Sequence, residues 1–440
     1  MIISDKNKII AQGAMDFALK NGCQACRISV VSASNTSFEY RDTELEKLHQ
    51  STENKFYIEL FIDERYGSFS TNRIEKAEIE SFILEGIAST RFLSVDPYRQ
   101  LPDNSRYYRG NNQDLDLFDR SIDEISTETK IELLKETVNE VYGTDKRIIS
   151  VLASYSDGKA AEYMLASNGF EAIDKDTAFS LSAEVSLKTE TDARPESFWY
   201  DNDIYWNGLQ KKGIAQTALE RTLRKIGQQK IKSGKYPMIL DNTLSARLLS
   251  PIFSAMQGAA IQQKNSFLLD KLEETIISPL ICLKDCPHTP RTFGARYFDG
   301  EGVATFDQPI IEKGKLKTYF IDTYNSLKMN CKPTISSPSV ICMQLGNGGF
   351  DELLQTIHYG VWVTGFNGGN TNSTTGDFSF GVEGFLIENG IITQPIGEMN
   401  ITGNLLTLWQ NIEAIGNDPR AKSSWKVPSI IFSEVNFSGL

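Results

Sequence analysis

A short polar stretch, Lys232-Ser-Gly-Lys-Tyr-Pro237, separates two halves of the chain whose apolar residues repeat differently. Upstream, helical spacing alternates with strand-like runs. Ile9, Ile10, Ala14, Phe17 and Ala18 predict a first helix stopped by Asn21-Gly22. Short β-rich runs follow at Ile28–Val31, Ser37–Tyr40, Phe56–Ile62 and Gly67–Ser70, the pattern of an antiparallel meander. Helices are expected again at 74–90, 122–142 and 208–231, with paired strands at 148–155, 163–166 and 178–188 turning at Asn168-Gly169, while Pro97–Asn112 reads as a surface excursion. Downstream, Asp241-Asn242 is placed to cap a helix over 244–258, and the chain then becomes glycine-punctuated and strand-like, with Glu388-Asn389-Gly390 as a hairpin and a further helix over 405–415. The expected class is α+β. Residues 1–232 form a mixed half of helices and antiparallel strands, and residues 237–440 a β-rich half with a long helix at its start.

Charge narrows the function classes. In 440 residues, 57 Asp and Glu outnumber 45 Lys and Arg, a net −12 that opposes direct nucleic-acid binding, which needs a basic face. Charged residues interrupt the apolar ones at the N-terminus and no run approaches a membrane span, so the expectation is a cytoplasmic protein with no membrane contact and free thiols.

The candidate chemistry is sparse. Cys23-Gln-Ala-Cys26 has redox spacing, but it leaves a helix and enters a strand, which favours core packing. Cys282, Cys286 and His288 supply three candidate metal ligands where a structural zinc site needs four, and Cys331 and Cys342 complete the set only if the fold gathers them. His49 and His358 have no sequence partner. The segment Gly365–Asp377 is small and polar between apolar strands, which suits either a ligand-contacting loop or a plain β-connection. In the first case Asp377, Ser379 and Asn404 would hydrogen-bond an extended peptide; in the second Asp377 caps its own turn.

Six stretches appear in order: Ser266-Phe-Leu-Leu-Asp-Lys-Leu272, Asp299-Gly-Glu-Gly-Val-Ala-Thr305, Thr375-Gly-Asp-Phe-Ser-Phe-Gly381, Gly384-Phe-Leu-Ile-Glu-Asn-Gly390, Ile401-Thr-Gly-Asn-Leu405 and Asn411-Ile-Glu-Ala-Ile-Gly-Asn-Asp418. Together they resemble the TldD/PmbA family, also labelled modulators of DNA gyrase, and most closely its PmbA (TldE) branch. In the TldD branch a helix carries His-Glu-x-x-x-His, whose histidines bind zinc with a later cysteine while the Glu serves as general base. Ungapped alignment back from Lys264-Asn-Ser-Phe267 places Ser250, Pro251 and Ala255 at the positions of that motif, and no cysteine follows Cys342.

The resemblance therefore implies a subunit without cofactor of its own and inactive alone. It would join a TldD-type partner that carries the zinc, or a second copy of itself, in a complex acting on unfolded peptides. The alternatives are a stand-alone homodimeric peptidase with an unrecognised centre at Cys282, Cys286 and His288, and a non-enzymatic protein acting on DNA gyrase.

Overall fold

The computed structural model describes residues 3–110, 113–191 and 193–439, so Asn112, at the end of the expected surface excursion, lies outside the described residues. The chain divides into two units. One comprises the residues up to Leu223 together with Arg296–Thr305, and the other Arg224–Ala295 and the residues from Phe306 onward.

The first unit is built on one antiparallel sheet. Helix α1 (Asp5–Lys20), capped by the Ser4 hydroxyl, leads into β1 (Ala25–Arg41), β2 (Glu44–Ile62), β3 (Arg65–Thr71) and α2 (Lys76–Thr90). Helix α3 (Thr127–Asn139), β4 (Ile148–Ala166), β5 (Phe170–Leu187), β6 (Glu196–Asp203) and α4 (Ile214–Arg224) follow, and the strand order is β3-β2-β1-β4-β5-β6. The strands are far longer than their apolar runs. Ser32, Ser34 and Thr36 break the alternation in the middle of β1, yet the strand continues because β2 and β4 bond it on both sides.

Apolar faces decide the layering. Ala11, Ala14 and Ala18 of α1 and Ile79 and Ile83 of α2 are buried with Ile28, Val30, Phe56, Ile58 and Leu60 of the sheet. Farther along the same face, α3 packs on β4 and β1. The excursion at 97–112 is not a plain surface run, because Tyr107 is 2% exposed and clusters with Met164, Phe170 and Phe298. Polar composition concealed an aromatic anchor.

The second unit opens with β7 (Gly234–Leu240), which takes up the end of the polar stretch 232–237. Helix α5 (Ser245–Ala255) and α6 (Gly258–Gln262) replace the single helix expected over 244–258. At the break the Gly258 N–H donates to Phe320 O instead of continuing α5, and the backbone passes so close that a Cβ on Gly258 would lie 3.1 Å from Ile321 Cα. Asp241 does not cap α5; it accepts from the Thr243 N–H and forms its own turn.

Small elements follow: β8 (Leu283–Asp285), β9 (Gln308–Glu312), β10 (Lys315–Leu316), α7 (Thr323–Met329), β11 (Ile341–Met343) and α8 (Phe350–Gln355). The long hairpins are β12 (Tyr359–Thr371), β13 (Asp377–Glu388) and β14 (Ile391–Asn404), and the chain closes with α9 (Leu405–Gln410), β15 (Ile412–Ile415), β16 (Trp425–Lys426) and β17 (Ile430–Ser438). The main sheet runs β14-β13-β12-β7-β17-β15, parallel at β7–β12 and antiparallel elsewhere. The helix expected over 405–415 is therefore a helix followed by a strand. Positive φ at Asn389 (53°) and Gly390 (74°) gives the expected two-residue hairpin.

Candidate functional site

Of the segment Gly365–Asp377, for which the composition left a ligand-contacting loop and a plain β-connection open, residues 365–371 form the outer half of β12. Two irregularities make the composition intelligible. The β12–β13 register shifts between Val363 and Gly365 and again between Phe366 and Gly369, where Gly368 and Gly369 have φ of 99° and 111°. A Cβ on Gly369 would lie 2.2 Å from Ser379 O, so the bulge requires glycine. Beyond β7, which bonds β12 only at Val361–Val363, the edge over Phe366–Thr371 carries no ladder partner among the described residues opposite β13.

The turn 372–376 ends that edge. Asn372 Oδ1 accepts from the Thr374 N–H at 2.9 Å, and Gly376 takes φ 79°. Asp377 and Asn404 face each other in the β13–β14 ladder. Asn404 Nδ2 donates to Asp377 Oδ1 at 3.0 Å and to Thr375 O at 2.8 Å, while Thr375 Oγ1 donates to Asp377 Oδ2 at 2.7 Å. These bonds, Thr375's first and Asn404's second, hold the Asp377 carboxyl below its ordinary range, so it is charged at neutral pH. Asn404 Oδ1 also accepts the Leu406 N–H and caps α9. Ser379, exposed on β13, is the one of the three whose side chain makes no hydrogen bond among the described residues.

A chain of contacts connects this turn to α5, which carries Ser250, Pro251 and Ala255. Phe267 N donates to Ser373 O at 3.3 Å, Thr374 Oγ1 bonds Asn265 Oδ1, and Ser266 Oγ donates to Ala255 O at 2.6 Å. Ser250, Pro251 and Ala255 all lie on α5. Pro251 withholds the N–H that would serve Arg247 O, and Ser250 Oγ points to that oxygen at 3.4 Å. Ala255 is 2% exposed. This donor set does not fit zinc: one hydroxyl, an imide nitrogen already in the backbone and a methyl supply no imidazole or carboxylate.

The cysteines divide by position. Cys286 and Cys342 approach each other across β8 and β11; burial first, then the neighbouring thiol, pushes Cys286 up to about 12 and keeps it protonated. Cys282 Sγ instead accepts the Lys313 N–H at 3.2 Å, and Cys331 is exposed elsewhere. Among the described residues no group of three His, Cys, Asp or Glu side chains is arranged to hold a metal. In the first unit Cys23 and Cys26 are buried with the sheet core, the thiol of Cys26 lowering Cys23 and being raised in return. His49 is exposed on β2 opposite Ser37, and His358 gives its carbonyl to the Asn389 N–H at 2.7 Å.

Models of the PmbA/TldA metallopeptidase match in order, domain 1 over residues 26–90, the central domain over 120–226 and the C-terminal domain over 233–439. A Bacteroides thetaiotaomicron protein named for modulation of DNA gyrase is 54% identical, with both chains fully covered and a TM-score of 0.97. The metalloprotease PmbA homolog of Haemophilus influenzae is 26% identical over 431 residues, 97% of this chain and 94% of that protein. TldE from Thermococcus kodakarensis, at 19% identity, shares the fold with a TM-score of 0.85 over 98% of this chain and 100% of its own. With all three domain models matched in order and a relative of 54% identity along the whole length, the chain belongs to the PmbA/TldD family.

Proposed function

We propose that this chain is a metal-free, PmbA/TldE-like subunit of a cytoplasmic peptidase complex, in which a TldD-type partner supplies the zinc and the hydrolytic chemistry. The observation that supports this reading is the donor set of Ser250, Pro251 and Ala255 on α5, the residues that the sequence alignment expects at the motif positions, which offers no imidazole or carboxylate to a metal. The chain's contribution is enclosure and alignment of an unfolded peptide. Such a peptide would add as a strand to the open edge of β12 at Phe366–Thr371, where main-chain groups bind without regard to sequence. Asp377 and Asn404 brace the turn beside that edge, and Ser379 offers a hydroxyl on the neighbouring strand.

The test is peptide turnover by the chain alone, by a TldD-type partner alone and by the two together, with the double substitution Asp377→Ala/Ser379→Ala in each case. Turnover is expected only when the partner is present, and the substituted subunit should slow it by about tenfold while still binding the partner, the scale of one or two lost hydrogen bonds. Turnover by the chain alone would overturn the assignment. Unchanged turnover with a less stable subunit would make this turn scaffold. A second reading, interaction with DNA gyrase, draws only on the name of the Bacteroides relative and predicts capture of gyrase by the purified chain.

A further inference from the structure

Strand β2 has 19 residues, and β3, which lies along its outer edge, has 7. β3 pairs with β2 only over Phe56–Ile62, so on the side away from β1 no strand among the described residues lies beside residues 44–55. That stretch is exposed along almost its whole length, with Leu48 at 56%.

The ladders on β1 fix where the main-chain groups of this edge point. Ser167 N–H donates to Cys26 O at one end of the β1–β4 ladder and Asp42 N–H to Val151 O at the other, both in the register that sets Arg27 against Ala166. Bonding along an antiparallel strand alternates between its two neighbours, so the even-numbered residues of β1 bond β4 and the odd-numbered ones bond β2. The β1–β2 register sets odd against odd, as in Ala33 opposite Glu53 and Glu39 opposite Lys47. Leu48, Gln50, Thr52 and Asn54 of β2 therefore direct their N–H and C=O groups away from β1, where they meet no partner among the described residues. Such an edge is a template for a further strand.

Its own sequence is the complement. Because even residues must face even residues across a new ladder, a two-fold axis between two antiparallel copies of β2 has to pass through a residue. With the axis at Gln50, Leu48 faces Thr52 and Lys47 faces Glu53, each contact occurring twice. Within one chain Lys47 already pairs with Glu39 at 2.8 Å and Lys55 with Glu53 at 2.5 Å, so this register lines up charges of alternating sign across the junction. An axis at Ser51 opposes Lys47 to Lys55, and an axis at His49 sets Leu45 against Glu53 and Lys47 against Ser51. Charge selects Gln50.

We propose that two copies of this chain associate through the outer edges of β2, residues 45–55 running antiparallel about Gln50, which joins two six-stranded sheets into one. Main-chain bonds supply the attraction, and the Lys47–Glu53 contacts set the register, since exposed ion pairs contribute little by themselves. The surface belongs to the first unit alone and rests on no step of the peptidase reading.

Sedimentation velocity of the purified full chain at concentrations up to about 100 μM tests this, with circular dichroism to confirm that each variant is folded. A reversible dimer is expected. Thr52→Pro removes an outward N–H and no bond to β1, and should weaken association by about tenfold or more. Lys47→Glu and Glu53→Lys, each placing like charges together twice, should weaken it by about tenfold, and the double variant Lys47→Glu/Glu53→Lys should recover it. This charge exchange stands by itself should Thr52→Pro misfold. A chain that stays monomeric, a dimer that persists in folded Thr52→Pro, or a double variant that associates no better than the single ones would overturn the proposal. Loss from Thr52→Pro of a TldD-type partner, and not of a second copy, would assign the edge to that partner and overturn it likewise.

Discussion

Ala255 decides more than its size suggests. Its methyl is buried, and its carbonyl anchors Ser266 and through it the 264–268 segment. Placing an imidazole there would overfill a packed position, so Ala255→His should cost about 1–3 kcal/mol in denaturant unfolding. A variant as stable as the parent would show that the space for a metal ligand persists. In the first unit, Asp174 lies half-buried, and burial raises its pKa to about 6, with Asp176 and Glu162 adding to the effect. The folded state therefore holds a proton that the unfolded chain releases near pH 3.9. Stability from this group is complete below about pH 4 and is lost as pH rises through about 6. Asp174→Asn should accordingly stabilise the protein at pH 7 by on the order of 1 kcal/mol, with the difference vanishing near pH 4 in parallel melts. A gain that is the same at both pH values would assign it to something other than ionisation.

At the scale of elements, glycine in this chain performs two opposite roles. Gly369 occupies a bulge at φ 111° with Ser379 O where its Cβ would be, whereas Gly13 lies inside α1 with nothing within 4 Å of a Cβ. Gly369→Ala should destabilise by about 1–3 kcal/mol, and Gly13→Ala should stabilise by about 0.5–1 kcal/mol. Equal effects in thermal unfolding would contradict the bulge geometry. The same strand shows what the sequence conceals. Apolar runs such as Phe378–Ile387 announced strands, and Asn389-Gly390 announced its hairpin, because side-chain pattern and turn chemistry are local. Gly365–Thr371 did not read as a strand, nor did Ser32–Thr36 in β1, since small and polar residues become extended there only through bonds to neighbours distant in sequence. The α5–α6 break was hidden for the same reason, as Phe320 lies more than sixty residues away from Gly258. Of the candidate site, Asp377, Ser379 and Asn404 could be named from the motif-bearing stretches; that Asn404 bonds Asp377 depends on the β13–β14 register.

For the whole molecule, family membership and the α5 donor set together carry the account: the chain belongs to a family of metallopeptidase domains, and the α5 residues Ser250, Pro251 and Ala255 offer no imidazole or carboxylate. No helix among the described residues is long and apolar enough to cross a membrane. The most direct measurement is purification of the native protein from its own cell without chelators, followed by identification of the chains that accompany it and metal analysis of each separated subunit. The account predicts a TldD-type chain in the complex, about one zinc per partner chain, and no stoichiometric zinc on this one. One zinc bound to this chain, lost on Cys282→Ala or His288→Ala, would contradict it and identify this subunit as the one that holds the metal.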